Sequence, residues 1–419
     1  MNSCVIFFSQ SYINFGSHEA LSWLSSTSET VLILHKEEKI NATLKPYIKN
    51  THYINGTINA SIRPAFNKNE IIDLVSFYME KYGSPNNLRI FCQQEDNVEL
   101  AAQVREFFNI PGDKPYMISW FRDKILMKKR VSNCKLGVVP KHVQLDNKNL
   151  SGDYNRDYAH LCKMLGEKFV IKPISAAGSF NVCIVETYRD FLEAANLIEN
   201  KSYSYRYEAD EFVDGTLYQC DSFIIDGEIF YCGILELGCT NFDFVGGKPL
   251  SVFPVTSKPT YEKLYDFNKE VINCLGFTNG STHHEIFVKK DGSLVFLEIA
   301  ARVPGGLGVP YHIANSNINL IDANIYLMMG CDLNKKINLN IKNNVISALL
   351  PVGRGKIKSL NEPPIISNYT IDWYVHKGML VDSRSLADAA GVLMAFNDDQ
   401  LALRNDFDSL QNYVPITCE

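Results

Sequence analysis

Short apolar runs alternate with stretches of helical periodicity over residues 1 to about 115. Cys4 to Ser9, Thr30 to His35 and Asn87 to Cys92 have the length and composition of strands, whereas Asn69 to Tyr82 and Asp96 to Phe108 read as helices. Asp96 followed by Glu99 is a capping-box signature ahead of Leu100, Ala101, Val104 and the Phe107/Phe108 pair. Strand and helix in turn predict a small parallel α/β sheet. No G-x-G-x-x-G follows the first strand, so a dinucleotide site is not expected there; the region is expected to frame a substrate.

Past Pro115 the pattern changes. Phe121 to Lys128 opens a basic helix, which taken alone reads as a charged surface helix. Phe169 to Ile174 is a strand with one lysine, Lys172, and runs into the small-residue loop Ser175-Ala176-Ala177-Gly178-Ser179. Small residues let backbone N–H groups approach an anion, and a preceding lysine adds a point charge, although most such loops are only turns. Tyr188 to Lys201 has helical periodicity, and Tyr207 to Gly215 ends a strand in a turn. Within it, Asp210 to Val213 fits equally an edge whose backbone reads a planar base and an acidic edge that guards against aggregation. Leu217 to Ile225 and Glu228 to Leu237 form a hairpin about Asp226-Gly227. Phe242 to Pro254 is expected to be a long mobile loop, and Tyr261 to Leu275 an amphipathic helix.

The chain is organised around a second hairpin, His283 to Gly306. With Asp291-Gly292 as a two-residue turn, Glu285 faces Glu298, and the same register pairs Ile286 with Leu297, Phe287 with Phe296 and Val288 with Val295. A three-residue turn would shift this pairing by one and lose the glutamate pair. Two carboxylates roughly 5 Å apart repel unless a cation lies between them. A hard ion such as Mg²⁺, completed by substrate phosphates and water, suits them. The alternative is a solvated strand face with two unrelated glutamates; Arg302 and Gly305-Gly306, on the strand exit, favour a site. His283 falls on the carboxylate face opposite Ala300, with a structural role preferred over general-base work, and His284 falls on the core side. His312 is placed in a substrate pocket. Farther on, Ile318 to Met329 reads as a buried helix closed by Gly330. Val345 to Leu350 and Tyr369 to Val375 read as strands, and Ser385 to Ala390 and Gln400 to Phe407 as helices.

Composition narrows the partners. The 419 residues are 46% apolar and 21% charged, with a formal net charge of -6 and a pI near 5.9. No basic footprint for nucleic acid is present. Nowhere do 18 apolar residues run together, so no membrane span is expected. The start lacks a basic leader with a cleavage site, and the 11 cysteines form no C-x-x-C pair, which fits free thiols in a reducing compartment and a cytoplasmic protein. Oligomeric state is not legible.

The order of these pieces resembles the ATP-grasp superfamily, in particular its carboxylate-amine ligase members of the L-amino acid ligase type. The resemblance rests on Arg122-Asp123-Lys124 with Met127, Val170-Ile171-Lys172-Pro173, the loop to Ser179, Asp210 to Gly215, His284 to Phe287, and Leu297 to Arg302 with Gly305-Gly306. It implies an α/β pre-grasp domain (1–115), an α+β ATP-grasp region (116–335, small lobe about 135–215) and a C-terminal α+β lobe (336–419). It further implies ATP and Mg²⁺, with Mn²⁺ as a substitute. Lys124, Lys172, Ser175, Gly178 and Ser179 would then meet phosphates or adenine, and Asp210, Glu211, Phe212 and Val213 would meet adenine. Glu285 and Glu298 would hold the metal. Arg302 would steady an acyl-phosphate or a carboxylate, Arg302 and Lys172 would be the catalytic pair, and Gly305, Gly306, His283 and His312 would adjoin substrate. The implied reaction joins a small carboxylate, activated as acyl-phosphate with ADP released, to an amine, with amino-acid-like substrates. A carrier-protein thiol as acceptor and a non-catalytic regulatory module are the alternatives. Two departures stand out: Ala300 replaces an asparagine that many members use for a second metal, and Leu217 replaces an acidic residue that holds ribose.

Overall fold

The computed structural model describes residues 2–58, 64–146, 151–199, 206–383 and 388–419. Its first sheet is parallel, in the spatial order Asn50–Ile54, Glu29–His35, Cys4–Phe8, Leu88–Phe91. Cys4–Phe8 and Glu29–His35 are buried along their whole length, which is why they read as unbroken apolar runs. Asn50–Ile54 left no such trace: it is an edge strand, largely solvent-facing, and its N-T-H-Y-I sequence lacks apolar alternation. The capping box expected at Asp96 does not form. The helix runs Val98–Phe107 with Asn97 at its cap position, and the Asn97 carboxamide is engaged elsewhere, donating to Gln94 Oε1 (2.7 Å) and accepting from the Phe66 N–H.

A four-stranded antiparallel sheet follows, ordered His142–Leu145, Tyr207–Glu211, Phe169–Pro173, Cys183–Val185. Helices Tyr154–Leu165 and Tyr188–Glu199 cover it through Leu161, Phe169, Ile171 and Phe191. The last two residues of the helix expected to reach Lys201 lie outside the described residues.

The largest sheet has eight antiparallel strands, ordered Leu294–Ala300, Gly280–Val288, Thr216–Ile225, Glu228–Leu237, Leu250–Pro254, Val345–Pro351, Ala389–Phe396, Asn368–Trp373. Two expectations are corrected here. The segment read as a mobile loop holds a short helix, Asn241–Val245, with a Thr240/Asp243 capping box, followed by Leu250–Pro254 inside the sheet. The Gly246-Gly247 pair masked this, because it ends the helix rather than marking an open loop. Similarly, Ala389 and Ala390 begin a strand rather than ending a helix, since Ala389–Phe396 is paired on both sides; residues 384–387 lie outside the described residues.

Because side chains alternate faces along a strand, the sheet sorts its residues by parity. Cys220, Ile224, Ile234 and Ile286 pack on Leu264, Phe267 and Val271 of helix Lys258–Leu275. Each such buried apolar side chain contributes about 1.5–3 kcal/mol. On the opposite face Phe223 and Tyr231 join Val5 and Phe7 of the parallel sheet and Leu24 of helix His18–Thr27 in a second core. Gln219, Leu235, His283 and Glu285 share that face and line cavities.

The organising hairpin has its own correction. Its loop is Lys290-Asp291-Gly292, closed by Lys289 N–H to Ser293 O (3.0 Å) with Gly292 at φ +83°, the three-residue turn with a left-handed glycine. Pairing therefore starts one residue off: Val288 with Leu294, Phe287 with Val295 and Ile286 with Phe296. A β-bulge at Leu297 then absorbs the difference, and Glu285 faces Glu298 and His283 faces Ala300 as expected.

Candidate active site

Two cavities meet at this glutamate pair. The first, about 330 Å³, is lined by Lys124, Lys172, Gly178, Ser179 and the run Asp210 to Gly215. The second, about 320 Å³, is lined by His283, Arg302, Gly305 and Gly306. Glu285 and Glu298 line both, as do Gly178 and Asn241. Ser175 lines neither, but its carbonyl accepts from Arg122 Nη2. His312 also lines neither: it is fully buried, its Nε2 2.8 Å from Asp221 Oδ2 and its Nδ1 2.9 Å from the Tyr231 hydroxyl. A position behind the pocket wall replaces the expected pocket-lining one.

Each side chain is placed by a local cause. Asp123 caps helix Lys124–Val131 by accepting from the N–H groups of Ile125 and Leu126, and this fixes Lys124 at the first turn. Lys124 Nζ then donates to the Ala176 carbonyl (2.9 Å) and pairs with Glu298 Oε2 at 3.0 Å. Four residues on, the same helix face carries Lys128, wholly buried, 2.9 Å from Glu208 Oε1 and 2.5 Å from Asp210 Oδ1. Lys172 shares Asp210 at 2.8 Å. The helix read as a surface element is therefore a charged strut into the site. Asp210 turns its carboxylate to these two lysines. Burial works to raise the Asp210 pKa, but the Lys172 and Lys128 charges hold it below the ordinary carboxylate value.

A second charged group ties Arg302 down. Glu95, just beyond the last strand of the parallel sheet, accepts from Arg302 Nε at 2.8 Å and from Arg122 Nη1. Burial opposes the Glu95 anion, yet Arg302 and Arg122 hold its carboxyl well below the usual range. On the carboxylate face Asp221, fully buried, orients His283 through a 2.7 Å contact to Nδ1, leaving Nε2 3.5 Å from Glu285 Oε1. His284 packs on the other face, 2.9 Å from Asn268.

Glu95, Lys128, Asp221 and Asn241 were not singled out from the sequence. Asp221 did leave a signal, as the lone charge in the apolar strand Thr216–Ile225. Lys128 left a weaker one, four residues from Lys124. Glu95 left none.

The carboxylate pair suits a hard cation. Glu285 and Glu298 would supply oxygen ligands at the cavity junction, beside the Lys124 ammonium and an Asn241 amide 3.4 Å from Glu285 Oε1. Among the described residues no group of three or more His, Cys, Asp or Glu could hold a metal alone. Such an ion needs further oxygens, as Mg²⁺ takes from phosphates and water. Among the described residues no helix is long and apolar enough to cross a membrane, and all the cysteines are free thiols.

Residues 165–311 match the family model of the ATP-grasp domain. The L-arginine-specific L-amino acid ligase of Bacillus subtilis is 24% identical over 274 residues, 64% of this chain and 64% of that protein. The alignment thus spans less than two thirds of that relative. Among solved structures, an L-amino acid ligase from Bacillus licheniformis superposes with a TM-score of 0.74 at 14% identity, covering 100% of this chain and 99% of that one. The biotin carboxylase domain of the Hydrogenobacter thermophilus 2-oxoglutarate carboxylase, in complex with MgADP, ADP and bicarbonate, gives 0.65 at 14% identity over 99% and 90%. These likenesses show a shared fold of mixed α/β content.

Proposed function

From the premise that this chain carries an ATP-grasp domain, we propose that it is an ADP-forming ligase that joins a small carboxylate to an amine. The observation that carries the reading is the glutamate pair shared by two cavities, one flanked by lysines and a small-residue loop, the other by Arg302. ATP fits the first cavity, with adenine against the Glu211–Val213 backbone and phosphates toward Lys124, Lys172 and the Gly178-Ser179 turn. The substrate carboxylate fits the second.

A carboxylate oxygen attacks the γ-phosphorus, the bond to the β-phosphate oxygen breaks, and ADP leaves an acyl-phosphate. The amine nitrogen attacks the acyl carbon, the carbon–oxygen bond to phosphate breaks, phosphate departs, and the proton lost by the amine passes to water. Little covalent work falls to the protein in the first step; positioning and charge neutralisation dominate. Mg²⁺ held by Glu285 and Glu298 would supply neutralisation between the phosphates. Lys172 adds positive charge, and Arg302, braced by Glu95, holds a carboxylate or phosphoryl group with its planar fork, a contact that lysine does not reproduce.

The deciding experiment measures ADP and phosphate release from ATP and Mg²⁺ across pairwise amino-acid mixtures, with the product identified by mass. ADP that requires both an acid and an amine, with an amide formed, is the expected result; AMP as product overturns the acyl-phosphate route.

Bracing by Glu95 gives a further expectation. Glu95→Gln removes the charge that Arg302 and Arg122 share, so the KM for the carboxylate substrate should rise about tenfold, roughly the 1.4 kcal/mol of one charge-assisted hydrogen bond. The KM for ATP should move far less. Steady-state kinetics with each substrate varied in turn checks this, and equal changes in both constants would contradict it.

A further inference from the structure

The sheet face that floors the second cavity changes character from its edge inward. Glu298 faces Glu285, Glu285 faces Gln219, and Gln219 faces Leu235 on successive strands. One residue pair along, Leu237 faces Val252, and Leu250 faces Leu349 on the strands beyond. All five aliphatic residues line the cavity. Along this face carboxylates therefore occupy one end, the Gln219 amide the middle, and the other end is a wall of five aliphatic side chains with one hydroxyl, Ser347, opposite Val252. Two strand spacings, about 10 Å, separate Glu285 from Leu235, a span that one amino acid bridges when its carboxylate lies by the metal ligands.

We propose that the amino acid activated in this cavity carries an aliphatic side chain, of the leucine, isoleucine, valine or methionine class, seated on the Leu235–Leu237–Leu250–Val252–Leu349 wall; this rests on the ligase reading above. The carboxylates that line the cavity are Glu285 and Glu298, at the reacting end. A guanidinium or ammonium at the far end would lose its hydration against aliphatic carbons and gain no counter-charge, which is costly.

The test is ADP release by the wild-type protein with leucine, isoleucine, valine, methionine, arginine, lysine, aspartate and glutamate, each supplied with one common small amine. Aliphatic acids should give kcat/KM at least about 100-fold above the charged ones, on the scale by which apolar pockets discriminate. Val252→Ala should lower kcat/KM for leucine about tenfold and leave the KM for ATP unaltered, because Val252 lines only the second cavity. Arginine or lysine turning over as well as leucine, with ADP formed, overturns the aliphatic assignment and leaves the ligase reading standing. No ADP from any amino acid overturns both.

Discussion

Glu298→Gln is expected to cut ADP release by at least about a thousandfold, close to 4 kcal/mol of transition-state stabilisation, while leaving the unfolding temperature within a few degrees of the parent. The carboxamide keeps the volume and the position opposite Glu285 but removes one of the two anionic oxygen sets at the cavity junction. It also frees the Lys124 ammonium, 3.0 Å away, from the charge that holds it. Loss of the metal's second carboxylate should outweigh any gain from a freer lysine, since phosphoryl transfer depends on charge placed between the phosphates. Glu298 is half-buried rather than core, so the fold should tolerate the change. A coupled ADP assay and a thermal melt read the two effects separately. Activity within tenfold of the parent would remove the pair from the metal site.

Lys128→Met should be strongly destabilising, lowering the unfolding free energy by about 3–5 kcal/mol. Lys128 and Glu208 are fully buried and Asp210 nearly so. Two lysines and two acids balance in that space. Without Lys128 two carboxylates share Lys172 alone, and an uncompensated charge stays away from water. The magnitude follows from that imbalance rather than from the strength of one ion pair, because a desolvated pair is worth little in itself. The double variant Lys128→Met, Glu208→Gln, which leaves the 2.8 Å Lys172–Asp210 pair balanced, should accordingly recover much of the loss, a non-additivity expected of groups in contact. Urea denaturation of all forms measures this. A loss below about 1 kcal/mol for the single variant, as for an exposed pair, would show that water reaches the network. The solvent-exposed Lys269–Glu228 pair is the natural control.

What the sequence made legible follows from how local each signal is. The glutamate pair was legible because both strands carry dense apolar alternation and a turn dipeptide between them. The bulge was not, since nothing in Val295-Phe296-Leu297-Glu298 marks which residue stands out of the ladder. Two errors in that reading, the turn length and the straight strand, offset each other at Glu285. The edge strand Asn50–Ile54 and the strand Leu250–Pro254 were missed for opposite reasons: one has too little apolar content, the other is preceded by glycines that suggest a loop. Glu95 lies more than two hundred residues from Arg302, and only tertiary packing brings them together. Lys128 shows the same limit, because periodicity places it on a helix face without saying that the face is buried against two acids.

The Leu297 bulge has a consequence for anyone who alters this protein. It lies between the glutamates and the hairpin tip, so the tip and the glutamate pair are in separate registers. Lys290 and Asp291 extend into solvent beyond three paired positions, Val288 with Leu294, Phe287 with Val295 and Ile286 with Phe296. A change of loop length there can be taken up where the ladder is already irregular. The tip is thus a permissive graft point, where a tag, a fluorophore or an inserted sequence could ride on the strands that carry the glutamates.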